Sequence, residues 1–274
     1  KKGDKALLCL PLEYIAGKMM VVRALYAGLD LCPVEPSGHP LLGSSGEVDF
    51  AAMVPLQVYN SLQTNEERER LSRVRKLIIG GGAIDIQLEN ALKEFPNEIY
   101  STYGMTETVS HIALRKINGS EANEYYTPLQ NVNVRLSGED TLIIDAPRVA
   151  NEILFTNDIA DLRPDGTFRV IGRKDNVINT GGIKVQIEEV ERSLRPHLAG
   201  NFAVTAVPDP KLGEAVVLLI EPAADPVAAR RAAEQFLPRY QQPLHILTVQ
   251  TVPLTGSGKI DRATARKIAS GKSS

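Results

Sequence analysis

Ser101-Thr102-Tyr103-Gly104-Met105-Thr106-Glu107-Thr108 lies between two apolar stretches and sets the reading of the whole chain. Before it, Glu98-Ile99-Tyr100 belongs to a strand. After it, Val109 to Leu114 is mostly apolar. The stretch combines an aromatic ring, a glycine, hydroxyls and one carboxylate. A glycine lets a backbone come close to a ligand. Tyr103 has a flat ring for a planar base, Thr106 can donate to a phosphate oxygen, and Glu107 can hold a divalent cation between phosphates. The same residues also read as a capped turn from strand to helix, with Thr106 or Thr108 as N-cap. A motif this short does not choose between the two.

The neighbouring segments favour a pocket. Lys76-Leu77-Ile78-Ile79 is a β-branched strand that runs into Gly80-Gly81-Gly82-Ala83, with a helix predicted from about Asp85 to Phe95. Ligands of open α/β sheets bind beyond the carboxyl ends of the strands. Two adjacent strand ends, one glycine-lined and one carrying Tyr-Gly-x-Thr-Glu, therefore suit a nucleotide. Further upstream, Ala6 to Leu10 reads as a buried strand and Leu29 to Val34 as the next one. Between them a helix from Glu13 to Ala27 places Ile15, Met19, Val22 and Tyr26 on one face and ends at Gly28. Strand, helix, strand in this order predicts a parallel α/β unit. Gly17 in mid-helix points to close packing. Phe50 to Pro55 reads as a strand, Gln57 to Leu62 as a helix, and the charged Glu66 to Val74 as a surface helix. Gly43-Ser44-Ser45-Gly46 is not a phosphate loop, because no lysine follows and Glu47 and Asp49 would repel phosphate. His39, between glycine and proline, reads as a solvated loop residue.

Downstream the pattern changes. Asn131 to Leu136 alternates and Thr141 to Ile144 returns as its partner, a hairpin. Asp158 and Arg173 read either as surface charges or as a grip on ribose hydroxyls. From Val177 a small α+β unit is predicted: a helix over Gln186 to Leu194, strands over Phe202 to Val207, Ala215 to Ile220 and Leu244 to Val249, and a helix within Ala223 to Leu237. The boundary falls at Arg173 to Asn176, giving domains over 1–173 and 174–274. Pro253-Leu254-Thr255-Gly256-Ser257-Gly258-Lys259 is a glycine-rich loop ending in a lysine, read either as a flexible connection before a final helix or as a lysine delivered to a phosphate.

Bulk properties narrow the class. The chain has 274 residues, 43% hydrophobic and 23% charged, with a net charge of −2 and no block of like charge. This is globular composition without a nucleic-acid footprint or a basic membrane-binding surface. No apolar run is long enough for a membrane span and the first residues do not resemble a signal peptide, so a cytoplasmic protein is expected. Cys9 and Cys32 have no CxxC spacing and are expected to be buried free thiols. No His/Cys cluster has metal-ligand spacing.

Four segments in this order resemble the adenylate-forming acyl-CoA synthetases, relatives of luciferase and of peptide-synthetase adenylation domains. They are Gly81-Gly82-Ala83; Tyr103-Gly104-Met105-Thr106-Glu107; Asp158 with Gly172-Arg173-Lys174-Asp175; and Pro253 to Lys259. Thr102 to Thr108 with Ser110 is most similar to the o-succinylbenzoate–CoA ligases of menaquinone synthesis. The resemblance implies a large α/β domain with a distorted sheet, N-terminally incomplete here, and a small mobile α+β domain carrying the catalytic lysine. It implies ATP, Mg²⁺ and CoA as co-substrates: a carboxylic acid attacks the α-phosphate of ATP to give an acyl-adenylate and pyrophosphate, and the CoA thiol then displaces AMP. Lys259 and Thr106 would meet the carboxylate and α-phosphate, and Glu107 the metal. Tyr103 with Gly104 would meet adenine, and Gly81, Gly82 and Ala83 would line the base and acyl pocket. Asp158 and Arg173 would take the ribose, Asp175 would be the hinge, and Gly181-Gly182 would approach the pantetheine tunnel. The family's phosphate loop is expected upstream of Ala6, so this chain is expected to bind nucleotide weakly and turn over slowly. Leu10 to Tyr14 departs from the family pattern and leaves the acyl pocket open. Other acids, a carrier-loading adenylation domain and a non-catalytic nucleotide-binding remnant stay as alternatives; a dinucleotide dehydrogenase is disfavoured because no G-x-G-x-x-G follows the first strand. Oligomeric state stays open, a homodimer included.

Overall fold

The structure, a computed structural model, describes residues 1–44, 46–255 and 259–272. Its first half alternates strand and helix: β1 (Lys5–Leu8), α1 (Ile15–Ala27), β2 (Asp30–Pro33), β3 (Phe50–Met53), α2 (Pro55–Ser61), α3 (Asn65–Arg73), β4 (Lys76–Ile79), α4 (Ile86–Lys93) and β5 (Glu98–Gly104). These five strands pair in parallel in the order β2-β1-β3-β4-β5. Antiparallel β6 (His111–Lys116) and β7 (Thr127–Pro128) extend that sheet. Strand order reverses between β1 and β3, and crevices at such switch points face the carboxyl ends of the strands. The short strands are apolar because helices cover the sheet: Leu7, Ala51, Leu77, Ile79 and Ile99 are fully buried in one core with Met20, Leu71 and Leu92.

Local chemistry sets the helix ends. Gly28 closes α1 with φ +64, Thr64 accepts the Glu67 amide to start α3, and Asp85 accepts the Gln87 and Leu88 amides to start α4, each supplying a partner for an orphan backbone group. Two helix readings are corrected. The buried face of α1 is Gly17, Met20 and Ala24, whereas Val22, Leu25 (79% exposed) and Tyr26 (94% exposed) point outward. A methyl at Gly17 would lie 2.2 Å from the Pro11 carbonyl oxygen, so the tight packing of the helix on this backbone, not its richest apolar stripe, selects the inward face. Charged α3 is not wholly a surface helix: Glu67 is fully buried and lies 2.6 Å from His39 Nδ1. His39 is an exposed loop residue, as expected, and is also the partner of that carboxylate. Cys9 is buried and Cys32 partly buried, both free thiols.

The second half holds two further sheets. β8 (Asn133–Leu136), β9 (Thr141–Asp145), β10 (Leu154–Leu162) and β11 (Phe168–Arg173) form an antiparallel sheet whose Leu142, Ile144, Ala160 and Phe168 share a core with Ile112 and Ala113 of β6. After a short 3-10 turn at Lys174–Asn176 come β12 (Val177–Thr180), β13 (Ile183–Gln186), α5 (Ile187–Leu194), β14 (Phe202–Asp209), β15 (Gly213–Ile220), α6 (Pro226–Phe236), β16 (His245–Thr248) and α7 (Arg262–Lys272). β14 and β15 read as unbroken apolar runs because both faces are covered. Val204, Val216, Leu218 and Ile220 meet the α5 and α6 side. Ala203, Val207, Val217 and Leu219 meet Ala265 and Ala269 of α7.

Candidate functional site

The carboxyl end of β4 has no side chains by design of its sequence. A Cβ on Gly80 would sit 2.2 Å from Thr102 Oγ1, and Gly81 has φ +80. The idealised Cβ position on Gly82 is 3.4 Å from Lys259 Cε and 3.7 Å from Pro55 Cγ. The stem of Lys259 thus lies over the glycine turn, a residue from the far end of the chain brought to the strand ends. Its loop is closed at the base by a bridge between Leu254 and Ile260 and by the Thr255 amide donating to the Lys259 carbonyl at 2.7 Å. Residues 256–258 of that loop lie outside the described residues. Just beyond it, Arg262 makes a two-pronged contact with Glu191 of α5, at 2.6 and 2.7 Å, which ties the lysine loop to the small sheet's helix. Lys259 is exposed.

At the end of β5, Tyr103 is partly buried, its ring edge-to-face with Phe168 at 5.1 Å between centroids and tilted against Tyr126. Its hydroxyl donates to Asp158 Oδ2 at 2.6 Å. Burial, then the Asp158 charge, raises the phenol well above its ordinary pKa, so it stays a donor. Arg173 Nη1 reaches the other Asp158 oxygen at 3.3 Å, and Nη2 reaches Asp175 at 2.8 Å. The Asp158–Arg173 pairing is a register pair of β10 and β11. Arg173 first, through a hydrogen bond, holds the Asp175 carboxyl below its ordinary range.

Thr106–Thr108 forms a 3-10 turn with Thr106 and Glu107 exposed. Thr108 is buried and accepts the Met105 amide at 3.0 Å. The chain then turns back into antiparallel β6, so the helix-capping alternative is excluded. The turn passes through Val109 at φ +62, with the Ser110 amide on the Thr108 carbonyl at 2.6 Å, a strained γ-turn. Gly104 also meets its own chain closely: a Cβ there would fall 2.5 Å from the Ser110 carbonyl oxygen. The close approach is to β6 of its own chain.

Sequence reasoning missed Arg23. From α1 its Nη2 donates to Ser110 Oγ at 2.7 Å and lies 3.4 Å from His111 Nδ1. Burial lowers its pKa, and it has no acidic partner among the described residues. Burial, then the Arg23 charge, pushes His111 down to about 4, leaving a neutral ring that accepts from the guanidinium. The available signal was local: Met19, Met20, Tyr26 and Ala27, its helical neighbours three and four residues away, include no acid. Lys259 and Gly82 are thus brought together, as are Tyr103, Asp158, Arg173 and Asp175. Gly181 and Gly182 are not part of either group. Both have positive φ and form the two-residue turn of the β12–β13 hairpin, with the Gly181 amide on the Leu212 carbonyl. No helix of the described residues is long and apolar enough to cross a membrane.

A family profile described as AMP-binding enzyme matches residues 1–158. The 2-succinylbenzoate–CoA ligase of Salmonella typhimurium is 28% identical over 278 residues, covering 94% of this chain and 59% of its own length. The chain therefore spans about three fifths of that relative. An acyl-CoA synthetase (AMP-forming)/AMP-acid ligase II-like protein from Dyadobacter fermentans superposes with a TM-score of 0.61 at 32% identity, covering 96% of this chain and 78% of that one. The o-succinylbenzoate coenzyme A synthetase of Bacillus subtilis, solved with ATP and magnesium ion, superposes with a TM-score of 0.77 at 21% identity, over 96% and 61% of the two chains, and shows the same fold.

Proposed function

This chain belongs to the family of AMP-binding enzymes, and on that premise we propose that it is the nucleotide-binding and lysine-bearing part of an acid–CoA ligase that acts on o-succinylbenzoate. The observation that carries the reading is the Lys259 stem lying against Gly82, which brings a cation from the far end of the chain to the carboxyl end of β4. In the first half-reaction the substrate carboxylate oxygen bonds to the α-phosphorus of ATP and the bond to pyrophosphate breaks. Both reactants are anions, and a preorganised cation where negative charge gathers lowers that barrier. Lys259 supplies it, and the exposed Thr106 hydroxyl donates to the α-phosphate. Asp158 accepts from the ribose while Tyr103 offers its braced ring to adenine, beside Gly81, Gly82 and Ala83. Glu107 is exposed and outside the salt bridges of the described residues, so its carboxylate suits Mg²⁺ arriving with ATP, which supplies neutralisation of phosphate charge. In the second half-reaction the CoA thiolate sulfur bonds to the acyl carbon and AMP leaves.

Arg23 supports the choice of acid. A partly buried guanidinium without an acidic partner calls for an anion, and o-succinylbenzoate has a second carboxylate left after the first is activated. The test is pyrophosphate release with ATP, Mg²⁺ and o-succinylbenzoate, beside benzoate and a medium-chain fatty acid. Lys259→Ala is expected to lower release with every acid, on the order of 10²-fold for one lost charge-stabilising group. Arg23→Ala is expected to weaken only the diacid. Release with a monoacid alone would discard the substrate and keep the chemistry. Nucleotide binding without release in any longer form of the chain would leave a non-catalytic binding module.

A further inference from the structure

We propose that Asn157 is a positioning residue that clasps Asp175 and holds the two parts of the chain in the orientation that puts Lys259 over Gly82; the inference rests on the two-step reading above. Residues 174–176 alone carry the backbone from β11 to β12, between sheets whose cores are separate. On the small-sheet side this connection is fixed through its backbone and Asn176. Gln186 Nε2 donates to the Arg173 carbonyl at 2.9 Å, and Asn176 Nδ2 donates to Glu188 at 2.5 Å. On the other side it is fixed through side chains. Asn157, exposed on β10, donates its amide to both Asp175 oxygens at 3.3 Å. Arg173 joins the same carboxylate, and Lys174 meets Glu139 of the β8–β9 turn at 2.5 Å.

Asp175 is thus gripped by two residues of the β10–β11 pair while its chain neighbours belong to the small sheet. Any swing about the connection that carries Asp175 away must break the Asn157 bonds. Beyond the connection, α5 packs against β11 and the Arg195–His197 turn packs against α4, where Gln87 Nε2 donates to the Arg195 carbonyl at 2.9 Å, and Lys259 lies on Gly82. Asn157 differs from these packing contacts in acting at the pivot itself, beside the Arg173 and Lys174 bridges. The Asn157 side chain bonds Asp175 and not Asp158, so its removal takes no hydrogen bond from the Tyr103–Asp158–Arg173 group.

The test uses the full chain as wild type, Asn157→Ala and Asn157→Asp. The Asp variant sets a second carboxylate beside Asp175 and opens the clasp further. Trypsin cleavage after Arg173 and Lys174 reads the opened population when reclosing is fast. Cleavage is expected to rise about threefold to tenfold in Asn157→Ala, the scale of one ordinary hydrogen bond, since both bonds are long and exposed, and more in Asn157→Asp. ATP–pyrophosphate exchange is expected to show a lower kcat with an unchanged KM for ATP. Cleavage of Asn157→Ala at the wild-type rate overturns the clasp, and faster cleavage with unchanged kcat overturns its link to adenylation. If wild type shows no exchange with any acid, the functional reading falls, and trypsin cleavage alone decides whether the clasp exists.

Discussion

His111 gives a stability test with a sign fixed by the structure. Its ordinary pKa of 6.5 is pushed down to about 4 by burial and by the Arg23 charge. Nδ1 faces the guanidinium at 3.4 Å, so protonation there would set two cations against each other. The unfolded chain takes up this proton below pH 6.5 and the native chain only near 4. The stabilising effect of the neutral ring is therefore complete above about pH 7 and lost progressively as pH falls between those values. At pH 5 the unfolded imidazole is almost fully protonated and the native one about one-tenth, which costs about 2 kcal/mol relative to pH 8. His111→Gln keeps an acceptor for Arg23 and does not titrate. Urea unfolding of both proteins at pH 8 and pH 5 separates this effect, because the other titrating groups act on both alike. Wild type is expected to lose about 2 kcal/mol more than the variant. An equal loss in the two proteins refutes the buried neutral imidazole, as would a His111 ring resonance titrating near 6.5 by NMR.

Two further outcomes follow from the fold. Val109→Gly is expected to stabilise by about 1 kcal/mol, since a β-branched residue at φ +62 stores about 1–3 kcal/mol that glycine releases against a smaller loss of chain entropy; a lower denaturation midpoint would show that the γ-turn is unstrained. Glu89→Ala is expected to destabilise by about 3 kcal/mol, because it leaves Arg115, bonded at 2.6 Å and only 10% exposed, without its counter-charge. The double change Glu89→Leu with Arg115→Met is expected to recover most of that loss, measured by the same unfolding curves.

The parallel sheet was legible because β1 to β5 are short apolar runs bounded by glycine, proline or capping residues, a pattern local to each element. The α1 face was not. That helix is apolar nearly all round, so periodicity chose Val22 and Tyr26 while the tight fit of Gly17 on Pro11 chose the opposite side. β10 escaped because Asn157, Asp158 and Asp161 interrupt its apolar pattern. They are polar because of what they face across the sheet and the connection. The glycine turn and the lysine loop were visible as motifs, but their meeting across more than half the chain could be seen only in three dimensions. Arg23 and Asn157 have no motif at all; their partners are set by tertiary placement.

The double bonding of Asp158 bears on the selectivity of the proposed ribose contact. Tyr103 and Arg173 already supply donors to both of its oxygens. A site whose buried polar groups depend on the ligand for every partner rejects a ligand lacking one hydroxyl by about 10⁴-fold. A deoxyribose seated at Asp158 would orphan nothing, and its penalty shrinks to about tenfold, the value of one ordinary hydrogen bond. In the proposed ribose contact, the carboxylate would be held rigid at the cost of caring little which hydroxyls the sugar has.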